Sequence, residues 1–254
     1  MNAFVGHLRH LDLFSGIGGF ALAAESAGWN TVGFAEVDDY ASRVLERHWP
    51  DVPNYGDVRN VPAMPVDLIT GGFPCQPFSK AGKQEAERDD RYLWPEMLAV
   101  IQRCKPAWVL GENVPGLVRL GLDKVQDDLA EAGYASQAFS IPACAVGAPH
   151  KRDRVWVVAY SDGGGWGSNR ETYCMGGVPD AAQDVSSQTE ASSRLPGWTG
   201  GETELRIPRV ANGVSDQPHR NQGLGNAIVP QVAYPLLRWM REGLCMANKE
   251  ISDE

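Results

Sequence analysis

The fold of this chain is decided by the stretch His10–Glu36, which has the sequence HLDLFSGIGGFALAAESAGWNTVGFAE. Its apolar segments predict a strand over residues 10–15, an alanine-rich helix over 17–27 and a second strand over 31–36. A glycine-rich turn joins the first strand to the helix. Strand, helix and strand in this order are typical of a parallel sheet with helices packed on its faces.

The glycine-rich turn and Glu36 together predict a cofactor site. Glycines between a strand and a helix let the backbone approach a ligand, and the helix N-terminus presents free N–H groups there. Glu36 follows about twenty residues later and can accept hydrogen bonds from ribose hydroxyls, as in nucleoside-containing cofactors. An ordinary strand-to-helix turn and a solvated carboxylate would account for the same residues.

The alternation of strands and helices continues to residue 160. Helices are predicted over 39–49, 93–104 and 122–132, and strands over 66–71, 107–112 and 154–160. We therefore expect an α/β fold with a mostly parallel sheet. We predict three regions, namely a catalytic and cofactor-binding domain over 1–160, a short irregular region over 161–221, and a C-terminal segment over 222–254 that packs back on the first domain.

The composition excludes several classes of protein. The 254 residues are 43% hydrophobic and 22% charged, which is typical of a globular domain. No apolar run approaches the roughly 20 residues of a membrane helix, and the N-terminus lacks a signal-peptide pattern, so we expect a cytoplasmic protein without a membrane partner. The five cysteines are scattered without a C-x-x-C pair, which predicts reduced thiols and no metal site. The net charge of −9 means that any DNA contact must come from local basic patches.

The region 161–204 has a different composition from the rest. It holds nine glycines, no lysine, two arginines and seven acidic residues. Few large aliphatic side chains occur there, so it cannot bury much surface by itself, and we expect an irregular insertion. From Gly223 onward, the sequence GLGNAIVPQVAYPLLRWM returns to a tight turn and an apolar helix.

Three further segments place reactive or charged side chains at predicted strand ends. Cys75 is framed by prolines in GGFPCQPFS, and a nearby helix N-terminus would favour its nucleophilic thiolate form. Glu112, in the sequence ENV, could hold or donate a proton if partly desolvated. The run His150–Arg154, HKRDR, suits phosphate or carboxylate contacts. Taken singly, these segments would equally fit a buried cysteine, a strand-end turn and a solvated charged run.

In combination, these segments resemble the C5-cytosine DNA methyltransferases. DLFSGIGGF is similar to their first cofactor motif, GGFPCQPFS to their nucleophile loop, ENV to their acid motif, HKRDR to their basic motif and GLGNAIVPQ to their C-terminal cofactor motif. Order and spacing match as well, over about residues 10–160 and 205–240. The sequence departs from the family at His150, where glutamine is common, and in the short acidic segment that replaces a target-recognition domain.

The resemblance implies a Rossmann-like, S-adenosylmethionine-dependent methyltransferase fold with a small irregular target-recognition insertion. It makes Cys75 the nucleophile and Glu112 the group that engages cytosine N3. It makes Arg152 and Arg154 the residues that support Glu112 at the base and at the backbone. It also implies a set of residues that bind S-adenosylmethionine: Phe14, Gly16, Gly18, Glu36, Asp57, Val58, Pro74, Leu93 and Asn226.

The resemblance further implies a monomer that acts on double-stranded DNA, with any cognate restriction endonuclease a separate protein. The short insertion predicts a recognition site of about 2–4 base pairs. Three alternatives stay open. A tRNA cytosine-5 methyltransferase on the same scaffold is the nearest, because one branch of the family acts on tRNA. A nicotinamide dehydrogenase would leave Cys75 without a role, and a catalytically silent subunit is disfavoured by the intact Cys75, Glu112 and Asn226.

Overall fold

A computed structural model describes residues 8–74, 92–161 and 226–252, with side chains as far as residue 245. Cys75 and the predicted target-recognition insertion lie outside the described residues. The described strands are β1 (Arg9–Leu13), β2 (Asn30–Ala35), β3 (Leu68–Gly71), β4 (Trp108–Asn113), β5 (Tyr134–Pro142) and β6 (Asp153–Ser161). The described helices are α1 (Gly19–Ser26), α2 (Asp39–His48), α3 (Trp94–Cys104), α4 (Leu117–Leu120), α5 (Leu122–Glu131) and α6 (Pro230–Ser252).

The strands form one six-stranded sheet in the order β2-β1-β3-β4-β6-β5. β1 pairs in parallel with β2 and β3, and β3 pairs in parallel with β4. β6 runs antiparallel to both β4 and β5. The predicted α/β class with a mostly parallel sheet is thus confirmed, and the arrangement is Rossmann-like.

Alternation along the strands distributes side chains to two cores. Leu11 and Leu13 of β1 face a core that contains α3 and α5. Leu68 of β3 and Leu110 of β4 face a second core, formed with α1 and α6. Both faces of the sheet are therefore covered by helices, so β1 and β3 are buried along almost their whole length.

The long helix α6 returns to the first part of the chain. Its residues Leu237 and Met240 are fully buried in the core shared with α1, and the Leu237 carbonyl accepts a hydrogen bond from Trp29 Nε1 at 2.9 Å. Among the described residues, no helix combines the length and the apolar character needed to cross a membrane.

The strand β5 was not predicted from the sequence. Its residues, YASQAFSIP, include few β-branched or large apolar side chains, and most of them are only partly buried. β5 lies at the edge of the sheet, where one side has no strand neighbour in the described chain. Weak apolar patterning is expected at such an edge, because less of the strand is buried than at the centre of the sheet.

Candidate active site

The predicted site residues converge on one edge of the sheet. β1, β2, β3 and β4 are parallel, so their carboxyl ends meet at this edge. Phe14, Glu36, Pro74 and Glu112 all lie at or just beyond these ends. Ligands of open α/β sheets bind outside the carboxyl ends of the strands, so this edge is the candidate active site.

The turn between β1 and α1 has an unusual backbone. Phe14, Gly16 and Gly18 have φ values of +53°, +53° and +85°. A side chain on Gly18 would overlap the indole of Trp49, whereas a Cβ on Gly16 would have no atom within 4 Å. Gly18 is thus required by packing as well as by conformation, and the open space at Gly16 leaves the backbone accessible to a ligand.

Glu36 ties this turn to the end of β2. Its Oε2 accepts a hydrogen bond from the Gly16 N–H at 2.7 Å, and its Oε1 accepts one from the Asp38 N–H at 2.7 Å. Each carboxylate oxygen can accept a further bond. The structure therefore gives Glu36 a role in shaping the turn and leaves acceptor capacity for hydroxyl groups of a ligand.

Asp57 is the N-cap of a short 3₁₀ helix, Val58–Asn60. Its carboxylate accepts a hydrogen bond from the Arg59 N–H at 2.9 Å and pairs with the Arg59 guanidinium at 3.2 Å. Arg59 also donates to Glu96 of α3 at 3.0 Å, so this ion-pair group connects the turn to α3. Val58 is buried in the core, so any contribution of its side chain to ligand binding is through packing.

Pro74 and Leu93 lie at the two ends of the stretch 75–91, which is not described. The Leu93 N–H donates to the Pro74 carbonyl at 3.4 Å, so the two ends meet at the carboxyl edge. Cys75 follows Pro74 directly in the sequence.

Glu112 is a buried carboxyl at the end of β4, with 8% of the residue exposed. Desolvation by burial raises the pKa of Glu112, and the nearby guanidinium groups of Arg154 and Arg152 act against this shift. Arg154 Nε lies 2.8 Å from Glu112 Oε1. A carboxyl in this environment can retain a proton at a higher pH than an exposed one, as a proton donor requires.

Arg152 and Arg154 reach the site because β6 is antiparallel to β4. The start of β6 then lies beside the end of β4, and Glu112 pairs in register with Trp156. Arg154 contacts Glu112, whereas Arg152 donates to the Ala227 carbonyl at 2.6 Å and so contacts the segment before α6. Burial and the neighbouring Arg154 lower the pKa of Arg152. His150 is exposed.

Asn226 is exposed at the start of the segment that leads into α6. Two residues later, Ile228 lies against α1, because a Cβ on Gly19 would be 2.8 Å from Ile228 Cγ1. The C-terminal segment is thus brought next to the turn between β1 and α1. Of the predicted residues, those at the ends of β1 to β4 and Arg154 lie at one edge of the sheet, and Val58 is buried in the core.

Asn113 is a residue of this site that the sequence reasoning missed. It is buried, and its Nδ2 donates to the Phe73 carbonyl at 2.9 Å, while its Oδ1 accepts from the Val114 N–H at 2.9 Å. It therefore connects the end of β4 to the residue before Pro74-Cys75. Its place beside Glu112 in ENV was the available signal, but only the pairing of β3 with β4 identifies its partner.

Comparisons with known proteins agree with this geometry. A family model described as C-5 cytosine-specific DNA methylase matches residues 8–193. The Type II methyltransferase M.HgiCII of Herpetosiphon aurantiacus is 37% identical over 159 residues, which are 59% of this chain and 36% of that protein. The Type II methyltransferase M.HhaI of Haemophilus parahaemolyticus is 35% identical over 161 residues, which are 60% of this chain and 49% of that protein. The chain thus spans half or less of the length of these relatives.

A similar solved structure is that of a protein encoded within an Escherichia coli prophage and described as a candidate DNA modification methyltransferase. It is 27% identical in sequence, with a TM-score of 0.52. The likeness covers 61% of this chain and 47% of the prophage protein.

Proposed function

Because this chain belongs to the family of C-5 cytosine-specific DNA methylases, we propose that it transfers a methyl group from S-adenosylmethionine to C5 of a cytosine in double-stranded DNA. The observation that carries the proposal is Glu112, a buried carboxyl with a raised pKa, held by Arg154 at the edge of the sheet where Pro74 leads into Cys75.

The chain's own residues have defined tasks in this reaction. The Cys75 thiolate attacks C6 of the cytosine and forms a covalent bond, while Glu112 delivers a proton or hydrogen bond to N3. The electron pair of the ring double bond then makes C5 nucleophilic. C5 would form the new bond to the methyl carbon as the bond from that carbon to the sulfonium sulfur breaks, which leaves a neutral thioether. Loss of the C5 proton and departure of the Cys75 sulfur restore the ring. During these steps Arg154 holds Glu112, and Arg152 holds the Ala227 carbonyl of the segment before α6.

The residues at the carboxyl edge fit S-adenosylmethionine, which supplies an electrophilic methyl group when bound. The open space at Gly16 admits a ligand beside the backbone, and Glu36 retains acceptor capacity for ribose hydroxyls. Asp57 would contact the adenine, and Leu93 and Asn226 would contact the rest of the cofactor. The remaining members of the proposed set are Phe14, Gly18, Val58 and Pro74.

The target base must leave the duplex to reach this site, because C5 and C6 are stacked inside the helix. The basic run at 150–154 and the arginines at 206, 209 and 220 would supply the phosphate contacts of a chain whose net charge is −9. The region 161–221 would read the target sequence. We further propose that the enzyme acts as a monomer and that any restriction endonuclease of the same specificity is a separate protein.

Methyl transfer from labelled S-adenosylmethionine into genomic DNA and into total tRNA, in parallel reactions, tests the substrate. We expect DNA to be labelled and the position to be 5-methylcytosine. Preferential labelling of tRNA would overturn the choice of DNA in favour of the alternative on the same scaffold.

A duplex that carries 5-fluorocytosine in the target tests Cys75, because fluorine at C5 blocks the final elimination. With S-adenosylmethionine present, the wild-type chain should form a complex that survives denaturation. Cys75→Ala should abolish the complex, and Cys104→Ala, which removes a half-buried thiol of the described chain, should retain it. A stable complex with Cys75→Ala would contradict the assignment.

A further inference from the structure

A chain of buried polar side chains crosses three neighbouring strands directly below the turn between β1 and α1. On β2, the Thr31 Oγ1 atom lies 3.0 Å from His10 Nδ1. On β3, the Thr70 Oγ1 atom lies 2.8 Å from His10 Nε2. Thr70 Oγ1 in turn donates to Asp12 Oδ1 at 2.9 Å. His10 and Asp12 have no exposed surface. The methyl-transfer steps assign no task to these groups.

The direction of the hydrogen bonds follows from counting protons. Burial raises the pKa of Asp12, so the direction depends on whether this carboxyl is ionised. With Asp12 ionised, the Thr70 hydroxyl gives its one proton to Asp12 Oδ1, and His10 Nε2 is then the donor to Thr70. Burial lowers the pKa of His10 to about 3, so the ring is neutral near pH 7 and carries one N–H. Nδ1 is then a bare acceptor, and the Thr31 hydroxyl donates to it.

This series of hydrogen bonds ends at Asp12, whose backbone carbonyl and side-chain carboxyl face different ends of the turn. The Asp12 carbonyl accepts the Ser15 Oγ–H bond at 2.7 Å, on the strand side. On the helix side, the Ala21 N–H in the first turn of α1 faces the Asp12 carboxyl, and the cap residue of α1, Gly18, offers no side chain. No donor among the described residues makes a hydrogen bond to the buried Asp12 Oδ2 by distance and angle.

We propose that His10 is a positioning residue for cofactor binding. As the Nε2–H tautomer it orients Thr70, and through Thr70 it holds the Asp12 carboxylate against the first turn of α1, where the turn at residues 14–18 ends. The inference rests on the proposed function in one respect only, namely that this turn binds S-adenosylmethionine. The tautomer is a property of the protein alone.

The tautomer can be measured by long-range ¹H–¹⁵N correlation NMR on the full chain labelled at its five histidines, with His10 assigned by its absence in His10→Gln. We expect a protonated Nε2 and a bare Nδ1, unchanged from about pH 5.5 to 8. An Nδ1–H tautomer, which would mean that the hydrogen bonds run from Asp12 toward Thr31, or a titration within that range, would overturn the proposal. This result does not depend on whether the protein methylates DNA.

Cofactor affinity tests the positioning role, with S-adenosylhomocysteine in calorimetry as the probe. Glutamine can donate to Thr70 and accept from Thr31, so His10→Gln should bind within about threefold of wild type. His10→Leu can do neither, and its dissociation constant should rise about tenfold. Thr70→Val removes the hydroxyl that links His10 to Asp12, so its dissociation constant should match that of His10→Leu. This second variant keeps the test valid if the leucine variant does not fold.

A merely structural role for His10 would lower the melting temperature of these variants while leaving affinity below the melting transition unchanged. That outcome would overturn the positioning role. If the wild-type chain binds neither S-adenosylhomocysteine nor S-adenosylmethionine, the proposed function fails, and the NMR result then stands as a separate finding.

Discussion

Gly18 combines a left-handed backbone with close packing. Its φ is +85°, and a Cβ there would overlap the Trp49 indole. An alanine in this conformation costs roughly 1–2 kcal/mol for the backbone alone, and Trp49 must also move. We expect Gly18→Ala to lower the free energy of unfolding in urea by more than about 2 kcal/mol. Gly133→Ala is the matched control, because φ is +86° and no atom lies within 4 Å of a Cβ there. Equal losses of unfolding free energy in both variants would show that the overlap with Trp49 adds nothing to the cost of Gly18→Ala.

Glu112 links pH to stability through its raised pKa. Burial penalises the charged carboxylate in the folded state, so the contribution of Glu112 to stability is complete below about pH 4.5, its unfolded value. That contribution is lost as the pH rises through the folded pKa. Relative to Glu112→Gln, the wild-type chain should therefore be less stable at pH 8 than at pH 4. Urea unfolding of both proteins at the two pH values measures this difference.

Glu112→Gln should also lower the rate of methyl transfer by about 10²-fold or more, because an amide cannot deliver the proton to N3. The exposed Glu46 of α2 provides the control Glu46→Gln, for which we expect no change in rate or in the pH dependence of stability. An unchanged rate in the Glu112 variant would remove this carboxyl from the mechanism.

The ends of two elements, β3 and β4, are joined by the side chain of Asn113. Its Nδ2–H bond to the Phe73 carbonyl is buried, and aspartate has the same shape but no proton to donate there when ionised. Asn113→Asp should cost about 1–3 kcal/mol in unfolding free energy and lower the rate of methyl transfer at least tenfold, since the Pro74-Cys75 backbone loses its attachment. Asn30→Asp, at the exposed start of β2, should change neither. A fully active Asn113 variant would show that the bond does not position Cys75.

In the molecule as a whole, α6 covers the face of the sheet behind α1 and brings the segment 226–229 to the active edge. Leu237 is fully buried in this contact. Leu237→Ala should destabilise the chain by about 2–5 kcal/mol in urea. It should also weaken S-adenosylmethionine binding in calorimetry, because Ile228 would lose its position against Gly19. The partly exposed Leu120 gives the control Leu120→Ala. Unaltered cofactor binding in the Leu237 variant would show that the packing of α6 does not contribute to the cofactor site.

Local patterning was sufficient for much of the fold and for the chemistry-bearing residues. The apolar residues within 10–15 and 66–71 predicted the strands β1 and β3, which are buried on both faces as central strands are. Glycines at 16 and 18 and the acid at 36 identified the turn, because few other residues suit that backbone. β5 escaped this reasoning because its burial comes from its neighbour β6 and not from its own composition.

The tertiary structure decided how these residues meet. Nothing in HKRDR shows whether the strand that follows runs parallel or antiparallel to β4. In a parallel arrangement the start of β6 would lie at the opposite edge of the sheet, about 20 Å away for a strand of six residues. The antiparallel pairing instead brings Arg154 to within 2.8 Å of Glu112. Strand direction depends on which backbone groups pair across the sheet, and that pairing is a property of the folded chain and not of any single segment.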